Sequence, residues 1–573
     1  MHTADVTEEL ARRVVAAAGR ALDVELTPEQ ALIQASPRDG VDYQANLAMS
    51  LGKKLSRPPR EVATLLAGAL ELDGVAETPE VAGPGFLNFV LRKDWLETRV
   101  ASVLGDARLG VPRTAEPRTI ALDYSSPNVA KEMHVGHLRS SVIGDALARL
   151  LRFAGHEVLP HNHLGDWGTP FGMLIEHLLD VPSDQRAIAD LDAFYREARR
   201  KFDSDEAFAT RARHRVVLLQ SGDDETLAVW QTLVDESTRH FNEVYALLGI
   251  SLTDKDIYGE SFYNPYLATV VDDLETAGLT EVSDGAVCVF PEGFRNRDGD
   301  RLPLIVRKRD GGYGYAATDL ATVRYWTAER GATDLLYVVG SPQAQHFAMV
   351  FSACRTAGWL TGHAEHVGFG TVLGADGKTM RTRAGETIKL VDLLTEAVTQ
   401  AAVVVAERSE LDPAGQAEVA RAVGIGAVKY ADLSGDRERD YVFAWDRMLA
   451  KEGNTSVYLQ YAHARTRSIL RKAGGEPEGT RILLDEPAER ALALKLLRFG
   501  EALEAATNAY APHKLCTHLY EAAVAFSRFY DDCPVLKAPA PELRASRLRL
   551  TTLTANTLAL GLSLLGIAAP DQL

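Results

Sequence analysis

Hydrophobic and polar positions divide the chain into three textures. The first, residues 1 to about 110, opens with apolar residues at helical spacing (Leu10, Val14, Val15, Ala18, Leu22). It runs through a turn-rich Gly83-Pro84-Gly85 into the apolar Phe86-Leu87-Asn88-Phe89-Val90 and closes on an amphipathic stretch around Trp95–Leu104. That mixture predicts a small α/β domain. A polar link, Val111-Pro112-Arg113-Thr114-Ala115-Glu116-Pro117, marks its end.

From about residue 118 to 440 short apolar runs alternate with longer amphipathic stretches. Strands are expected at Thr119–Leu122, Glu157–Pro160, Leu304–Val306, Leu335–Val339 and Val367–Val372, with helices between them. Such alternation predicts a parallel sheet with crossover helices. A charged, mostly helical stretch at about 181–298 reads as an insertion into that sheet domain. From 445 to 573 no strand signal remains, and amphipathic segments at Asn454–Ala473, Pro487–Ala506, Pro512–Asp531 and Ala545–Leu565 predict an all-helical domain.

Composition adds exclusions. With 573 residues, 46% apolar and 25% charged, the chain is globular and multidomain rather than disordered. No stretch approaches the roughly 18 apolar residues of a membrane helix, and the start lacks a signal peptide's basic end and apolar block. Cys288, Cys354, Cys516 and Cys533 lie far apart, with neither metal spacing nor a disulfide framework. A cytoplasmic protein without membrane association is expected. The net charge of −17 argues against binding nucleic acid by bulk positive charge. Residues 444–573, however, carry 16 Lys+Arg against 14 Asp+Glu, so the acidity lies before them.

The strongest local signal is Ser126-Pro127-Asn128-Val129-Ala130-Lys131-Glu132-Met133-His134-Val135-Gly136-His137, between the first strand of the sheet domain and an amphipathic helix. A strand–loop–helix junction is where α/β sheets bind phosphate, because free N–H groups and the helix dipole point there. His134 and His137 can place donors on one phosphate, and Gly136 permits close approach. Taken alone, the four residues could equally be structural histidines. A second segment runs from Gly374 to Gly385 and carries Lys378, Arg381 and Arg383. It is no P-loop, since Val372 stands where the first glycine belongs. What remains is a glycine-bounded basic loop of the kind that clamps polyphosphates.

Together these segments resemble the two signatures of class I aminoacyl-tRNA synthetases, with His134–His137 as the "HIGH" element and Lys378–Arg383 as a degenerate "KMSKS" loop. The stretch Asp123-Tyr124-Ser125-Ser126-Pro127-Asn128 through Leu138-Arg139-Ser140 is similar to arginyl-tRNA synthetases in particular. So are Gly165-Asp166-Trp167-Gly168, Tyr315-Ala316-Ala317-Thr318-Asp319, Glu452-Gly453-Asn454-Thr455, Tyr458 through Arg465, and Phe529-Tyr530 with Cys533-Pro534-Val535-Leu536. They run in the family's order over nearly the whole chain. The resemblance implies a Rossmann-type catalytic domain between a small N-terminal α/β domain that contacts the tRNA elbow and a helical anticodon-binding bundle. It implies an arginine–tRNA ligase using L-arginine, ATP with Mg2+ and tRNA(Arg), expected as a monomer, with no tightly bound metal site and with arginine activation dependent on bound tRNA.

Residue by residue, the resemblance assigns His134, Gly136, His137, Lys131, Lys378 and Arg381 to ATP, and Asp123, Asn128, Tyr315, Asp319 and Gln343 to arginine. A guanidinium is a planar fork of donors, and all five of the latter supply acceptors. Tyr315 and Asp319 are four apart, hence on one helix face. The basic tract Lys378-Thr379-Met380-Arg381-Thr382-Arg383 lacks the usual second lysine. Arginyl enzymes without it carry a lysine just upstream of the histidine pair, where Lys131 stands. Tyr458, Tyr461 and Arg465 match residues that hold anticodon bases, and their spacing predicts one shared face. Other readings are a paralogue serving a non-translational pathway, a catalytically inactive RNA-binding protein, or a nucleotidyltransferase sharing only the His-x-Gly-His loop.

Overall fold

The computed structural model describes residues 6–38, 40–181, 190–380, 388–406, 411–476, 478–479 and 481–573. At the N-terminus the helix Val6–Leu22 buries Val6, Leu10, Val14 and Ala18 completely, as its spacing requires. It is followed by a four-stranded antiparallel sheet in the order Ile33–Ala35, Tyr43–Ala45, Phe86–Phe89, Glu80–Ala82. Alternation turns Tyr43, Ala45, Leu87 and Phe89 inward. This domain docks on the C-terminal bundle: the fully buried Tyr43 donates to Glu501 (2.7 Å) and accepts from Arg498 (3.1 Å). Arg498 also donates to the Asp42 carbonyl (2.6 Å), and the Asp42 carboxylate takes Arg490.

The central sheet has four parallel strands in the order His363–His366, Asp334–Tyr337, Thr119–Asp123, Glu157–His161. Helix Val135–Ala154 carries the chain from Thr119–Asp123 outward to Glu157–His161, and helix Ala344–Thr356 carries it from Asp334–Tyr337 to His363–His366 on the other side. The strand order therefore reverses between Asp123 and Tyr337, which pair across the two central strands. Ligands of doubly wound sheets bind at the carboxyl ends of strands at such a switch point.

Two expected strands fall elsewhere. Leu304–Arg307 forms, but pairs antiparallel with Ala286–Val289, which pairs with Thr280–Ser283 in a separate three-stranded sheet. Val282 and Ile305 are exposed, the half-solvated alternation of an antiparallel sheet, which a short apolar run does not distinguish from a buried parallel strand. The stretch before it is helical as expected, through Leu191–Ser204, Glu206–Ser221, Asp224–Leu248 and Asn264–Thr276. The run Val367–Val372 is not the sheet's edge strand. The polar His363–His366 takes that place, and Val372–Leu373 pairs instead with Tyr441–Val442. An edge strand is buried too little to need an apolar pattern.

Beyond residue 445 the described residues contain helices and no strand. Ser456–Ala473, His513–Asp532 and Pro541–Leu564 lie near their expected bounds. The segment expected as one helix from Pro487 is two, Pro487–Leu497 and Phe499–Asn508, parted at Arg498, the residue that reaches into the N-terminal domain.

Candidate active site

The loop after Thr119–Asp123 is strained and over-determined. Ser125, Ser126 and Ala130 have φ of 74°, 48° and 60°, in the left-handed region that non-glycine residues avoid. Each is held by its own amide: Ser125 N–H donates to Ser140 Oγ (2.9 Å), Ser126 N–H to Asn162 Oδ1 (3.1 Å), Ala130 N–H to Ser237 Oγ (2.9 Å). Strain of this kind costs about 1–3 kcal/mol per residue and persists only where surroundings impose it. It delivers the chain into the helix Val135–Ala154 with His134 as the capping residue.

The two histidines are locked as donors. Gly136 N–H donates to His134 Nδ1 (3.0 Å), and His134 N–H donates to His137 Nδ1 (3.1 Å). A ring nitrogen that accepts from a backbone N–H cannot carry the proton, so both imidazoles hold it on Nε2. Burial lowers the pKa of His134, and burial with the neighbouring His134 takes His137 down to about 3. Both are therefore neutral near pH 7, with Nε2–H groups free to donate rather than cationic charge. The rings lie 4.1 Å apart. A β-carbon on Gly136 would stand 2.7 Å from the His134 ring, so this glycine first accommodates the capping imidazole.

A cavity of about 270 Å³ adjoins this helix start, walled by His134, Gly136, Gly340, Phe369, Thr379 and Met380 among others. It unites residues that follow both central strands with the foot of the basic loop. Lys378 is exposed on a tight hairpin, its N–H bonded to Asp376 (3.1 Å) and its carbonyl to Gly374 N–H (2.8 Å). Arg381 lies outside the described residues. Past that gap the chain returns to the helix start: Val135 N–H donates to the Ile388 carbonyl (3.1 Å) and Leu390 N–H to that of Met133 (2.8 Å). Lys131 is exposed, its ammonium 4.6 Å from the Tyr195 ring centre. Arg139 also lines the cavity. It is buried, paired with the buried Asp432 (3.2 Å), and donates to the Arg439 carbonyl (2.9 Å), so it ties the histidine-bearing helix to the helix Pro413–Leu433 and the loop after it.

Beyond the strand ends lies an acidic pocket. Asp123, buried, accepts from Ser126 Oγ (3.1 Å) and pairs with His161 Nδ1 (2.8 Å). His161 Nε2 is 3.3 Å from His163 Nδ1, and burial takes His163 down to about 4. Asp123, His161 and His163 form a group compact enough to surround a cation, yet their facing atoms already bond one another. Asp319, half-buried on helix Tyr315–Arg324, pairs with His346 (2.6 Å), whose pKa this hydrogen bond raises against the effect of burial. His163 and Tyr337 each feel both Asp123 and Asp319, so the two carboxylates flank one space. Asn128 and Gln343 are exposed, and Tyr315 is 76% exposed at the start of the helix that carries Asp319.

Glu260 is the residue that sequence reasoning missed. Burial, and then the nearby Asp166 and Asp319, push it up to about 8. Its signal was slight: one carboxylate in the tract Tyr258-Gly259-Glu260-Ser261, inside a stretch read as insertion. Glu260 lies near enough to Asp319 to be raised by its charge, and once its proton is displaced the two carboxylates offer acceptors suited to a guanidinium fork.

In the bundle, Tyr458 lies against Tyr520 and Ser527, and Arg465, exposed, sits 5.9 Å from the Tyr530 ring. Tyr461 packs elsewhere, on the cluster of Ala401, Val405 and Val419 that Leu573 also touches. The expected single face thus divides: at 100° per residue Tyr461 stands about 60° around the helix from Tyr458 and about 40° from Arg465, enough to meet a different neighbour.

A parallel doubly wound sheet with a histidine-capped helix start, a facing basic loop and a helical appendage defines a class I aminoacyl-tRNA synthetase. Residues 99–445 match the family described as tRNA synthetases class I (R), catalytic domain, residues 459–573 the DALR anticodon binding domain, and residues 5–91 the arginyl tRNA synthetase N terminal domain. The chain belongs to the arginyl-tRNA synthetase family. It is 53% identical to the arginine–tRNA ligase of Thermobifida fusca over 100% of both chains, and 49% identical to that of Frankia casuarinae, also over 100% of both. Among solved structures, the Plasmodium falciparum arginyl-tRNA synthetase superposes with a TM-score of 0.87 at 27% identity, covering 100% of each chain. The Thermus thermophilus enzyme gives 0.83 at 26%, covering 99% of this chain and 100% of its own.

Proposed function

We propose that the protein activates L-arginine with MgATP to arginyl-adenylate and transfers the arginyl group to the 3′-terminal adenosine of tRNA(Arg). The observation that carries this reading is the meeting of two chemistries at one switch point: neutral imidazole donors for phosphate on one side, a pocket of buried and half-buried carboxyl groups (Asp123, Glu260, Asp319) on the other. Arginine's carboxylate attacks the α-phosphorus and pyrophosphate leaves; a ribose hydroxyl of the tRNA, the 2′-hydroxyl by family resemblance, then attacks the arginyl carbonyl and AMP leaves. No side chain is required as a base, since both nucleophiles are positioned and the developing phosphate charge is met by preformed donors. His134 and His137 supply Nε2–H donors, while Lys131, Lys378 and Arg381 supply charge to the polyphosphate. Glu260 and Asp319 take the guanidinium, with Tyr315 and Gln343 at its side, and Asp123 and Asn128 take the amino-acid end. Tyr458, Tyr461 and Arg465 serve the anticodon. A single chain carries the active centre and both flanking modules, which supports action as a monomer; the cytoplasm, where the tRNA substrate is used, is the compartment this activity implies.

ATP–pyrophosphate exchange with each amino acid, with and without tRNA, tests the whole reading. Exchange with arginine alone, and only when tRNA(Arg) is present, is the expected outcome. No exchange under any condition rejects the reading. Lys131→Ala is expected to slow exchange about 10–100-fold while leaving the melting temperature unchanged, since its side chain is exposed; a near-wild-type rate removes Lys131 from the ATP site.

Arginine binding should also follow pH. With Glu260 at about 8 in the empty pocket, the carboxyl is mostly protonated at pH 7, and an entering guanidinium displaces that proton. KM for arginine is therefore expected to fall as pH rises from about 6 to 8 and to level off above, with close to one proton released on binding at pH 7. Titration calorimetry in buffers of differing ionisation enthalpy reads that proton directly, and zero release contradicts the assignment.

A further inference from the structure

The tract Gly165-Asp166-Trp167-Gly168 has no part in the chemistry above, yet it touches both halves of the pocket. Asp166 is buried, and its carboxylate accepts twice from Ser261, from the N–H (2.8 Å) and from Oγ (2.6 Å). One residue earlier, the Leu164 carbonyl accepts the Glu260 N–H (3.0 Å). Trp230 Nε1 donates to the Asp166 carbonyl (2.7 Å) and holds the tract from behind. A β-carbon at position 259 would lie 2.3 Å from the Asp166 carboxylate, so glycine is what lets the turn close over it. The backbone on both sides of Glu260 is thus gripped by residues 164–166.

Gly165, between Leu164 and Asp166, holds the other substrate-facing loop. Gly165 N–H donates to the Pro127 carbonyl (3.1 Å), and Val129 N–H donates to the Gly165 carbonyl (3.0 Å), on either side of Asn128. Residues 164–166 therefore stand between the loop that presents Asn128 and the turn that presents Glu260.

We propose that Asp166 is a positioning residue for arginine recognition: by clamping the turn 259–261 through Ser261 it sets the Glu260 carboxylate opposite Asp319, without itself touching the substrate. The proposal rests on the reading that Glu260 and Asp319 take the guanidinium. Its physical basis is that two charge-assisted hydrogen bonds fix a turn far better than packing does, and that displacing a charged contact by about 1 Å weakens it severely.

The test is pyrophosphate exchange by the full chain with tRNA(Arg), comparing Asp166→Asn, Ser261→Ala, Glu260→Gln and the Asp166→Asn/Glu260→Gln double variant. Asparagine keeps an acceptor for the Ser261 N–H but offers the hydroxyl none. Because Asp166 also helps to raise Glu260, the variants are compared at about pH 9, where Glu260 is ionised either way; there Asp166→Asn is expected to raise KM for arginine about tenfold, with kcat and the KM for ATP within about twofold. Ser261→Ala should shift the same parameter about threefold. The double variant should be no worse than Glu260→Gln alone, because the clamp acts only through that carboxylate. If Glu260→Gln raises KM for arginine and Asp166→Asn does not, the positioning role is wrong and the pocket reading survives. If Glu260→Gln leaves KM unchanged, the pocket reading fails and takes the proposal with it. A fall in kcat with equal rises in both KM values marks general damage and overturns the proposal. Should Asp166→Asn fail to fold, Ser261→Ala decides: an unchanged KM for arginine rejects it.

Discussion

His137→Ala is expected to slow adenylate formation by roughly 10²–10³-fold, the loss typical of one preorganised donor to a developing oxyanion. Single-turnover measurement at saturating arginine and ATP isolates this step. Folding should suffer only by the loss of a cap, about 1 kcal/mol, because the His137 ring receives the His134 N–H. His137→Asn supplies a carbonyl oxygen for that N–H and so separates the two effects: it should melt like the wild type and still be slow. The pH profile gives an independent check. With His137 held at about 3, its imidazole gains no proton between pH 6 and 8, so the saturated rate should lack a step from that ring, and any step from His134 should lie below the ordinary histidine range. A step near the ordinary histidine range would show that a cationic imidazole takes part.

The second large effect concerns the pocket. Asp319→Asn is expected to lower kcat/KM for arginine by roughly 10²–10⁴-fold, mostly through KM, with the KM for ATP little changed. Removing one member of a desolvated ion pair costs the attraction and also leaves the incoming guanidinium short of an acceptor. The variant also frees His346, which now bonds Asp319 at 2.6 Å and owes its raised pKa to it. A comparable fall for both substrates would place Asp319 in the scaffold rather than against arginine.

Much of the site was legible because it is written locally. His134, Gly136 and His137 fall within one turn, so their motif, the helix after them and its capping geometry are set by residues close together in the chain. Asp319 was legible for the same reason, through Tyr315 on its own helix. Glu260 was not, since nothing in its neighbours marks it. It is recruited by contacts to Leu164 and by the nearness of Asp166 and Asp319, positions 59 to 96 residues away. The division of Tyr461 from Tyr458 and Arg465 shows the limit of periodicity: it gives the angle of each side chain and says nothing of which neighbour occupies that angle.

By itself, then, the amino-acid order determined the class of fold, the three textures, the histidine-capped helix start and the family, because helix and strand periodicity and loop chemistry are properties of short segments. It did not determine which sheet an apolar run joins. Leu304–Arg307 pairs with its antiparallel neighbours, and the polar His363–His366 completes the parallel sheet, because strand partners are selected by long-range burial and hydrogen bonding. Only the tertiary structure decided the nearness of Glu260 to Asp319 and the joining of Asp42 and Tyr43 to Arg490, Arg498 and Glu501 across the chain. Each depends on groups remote in sequence being desolvated together, where a charge or an N–H must find its partner or go unpaired.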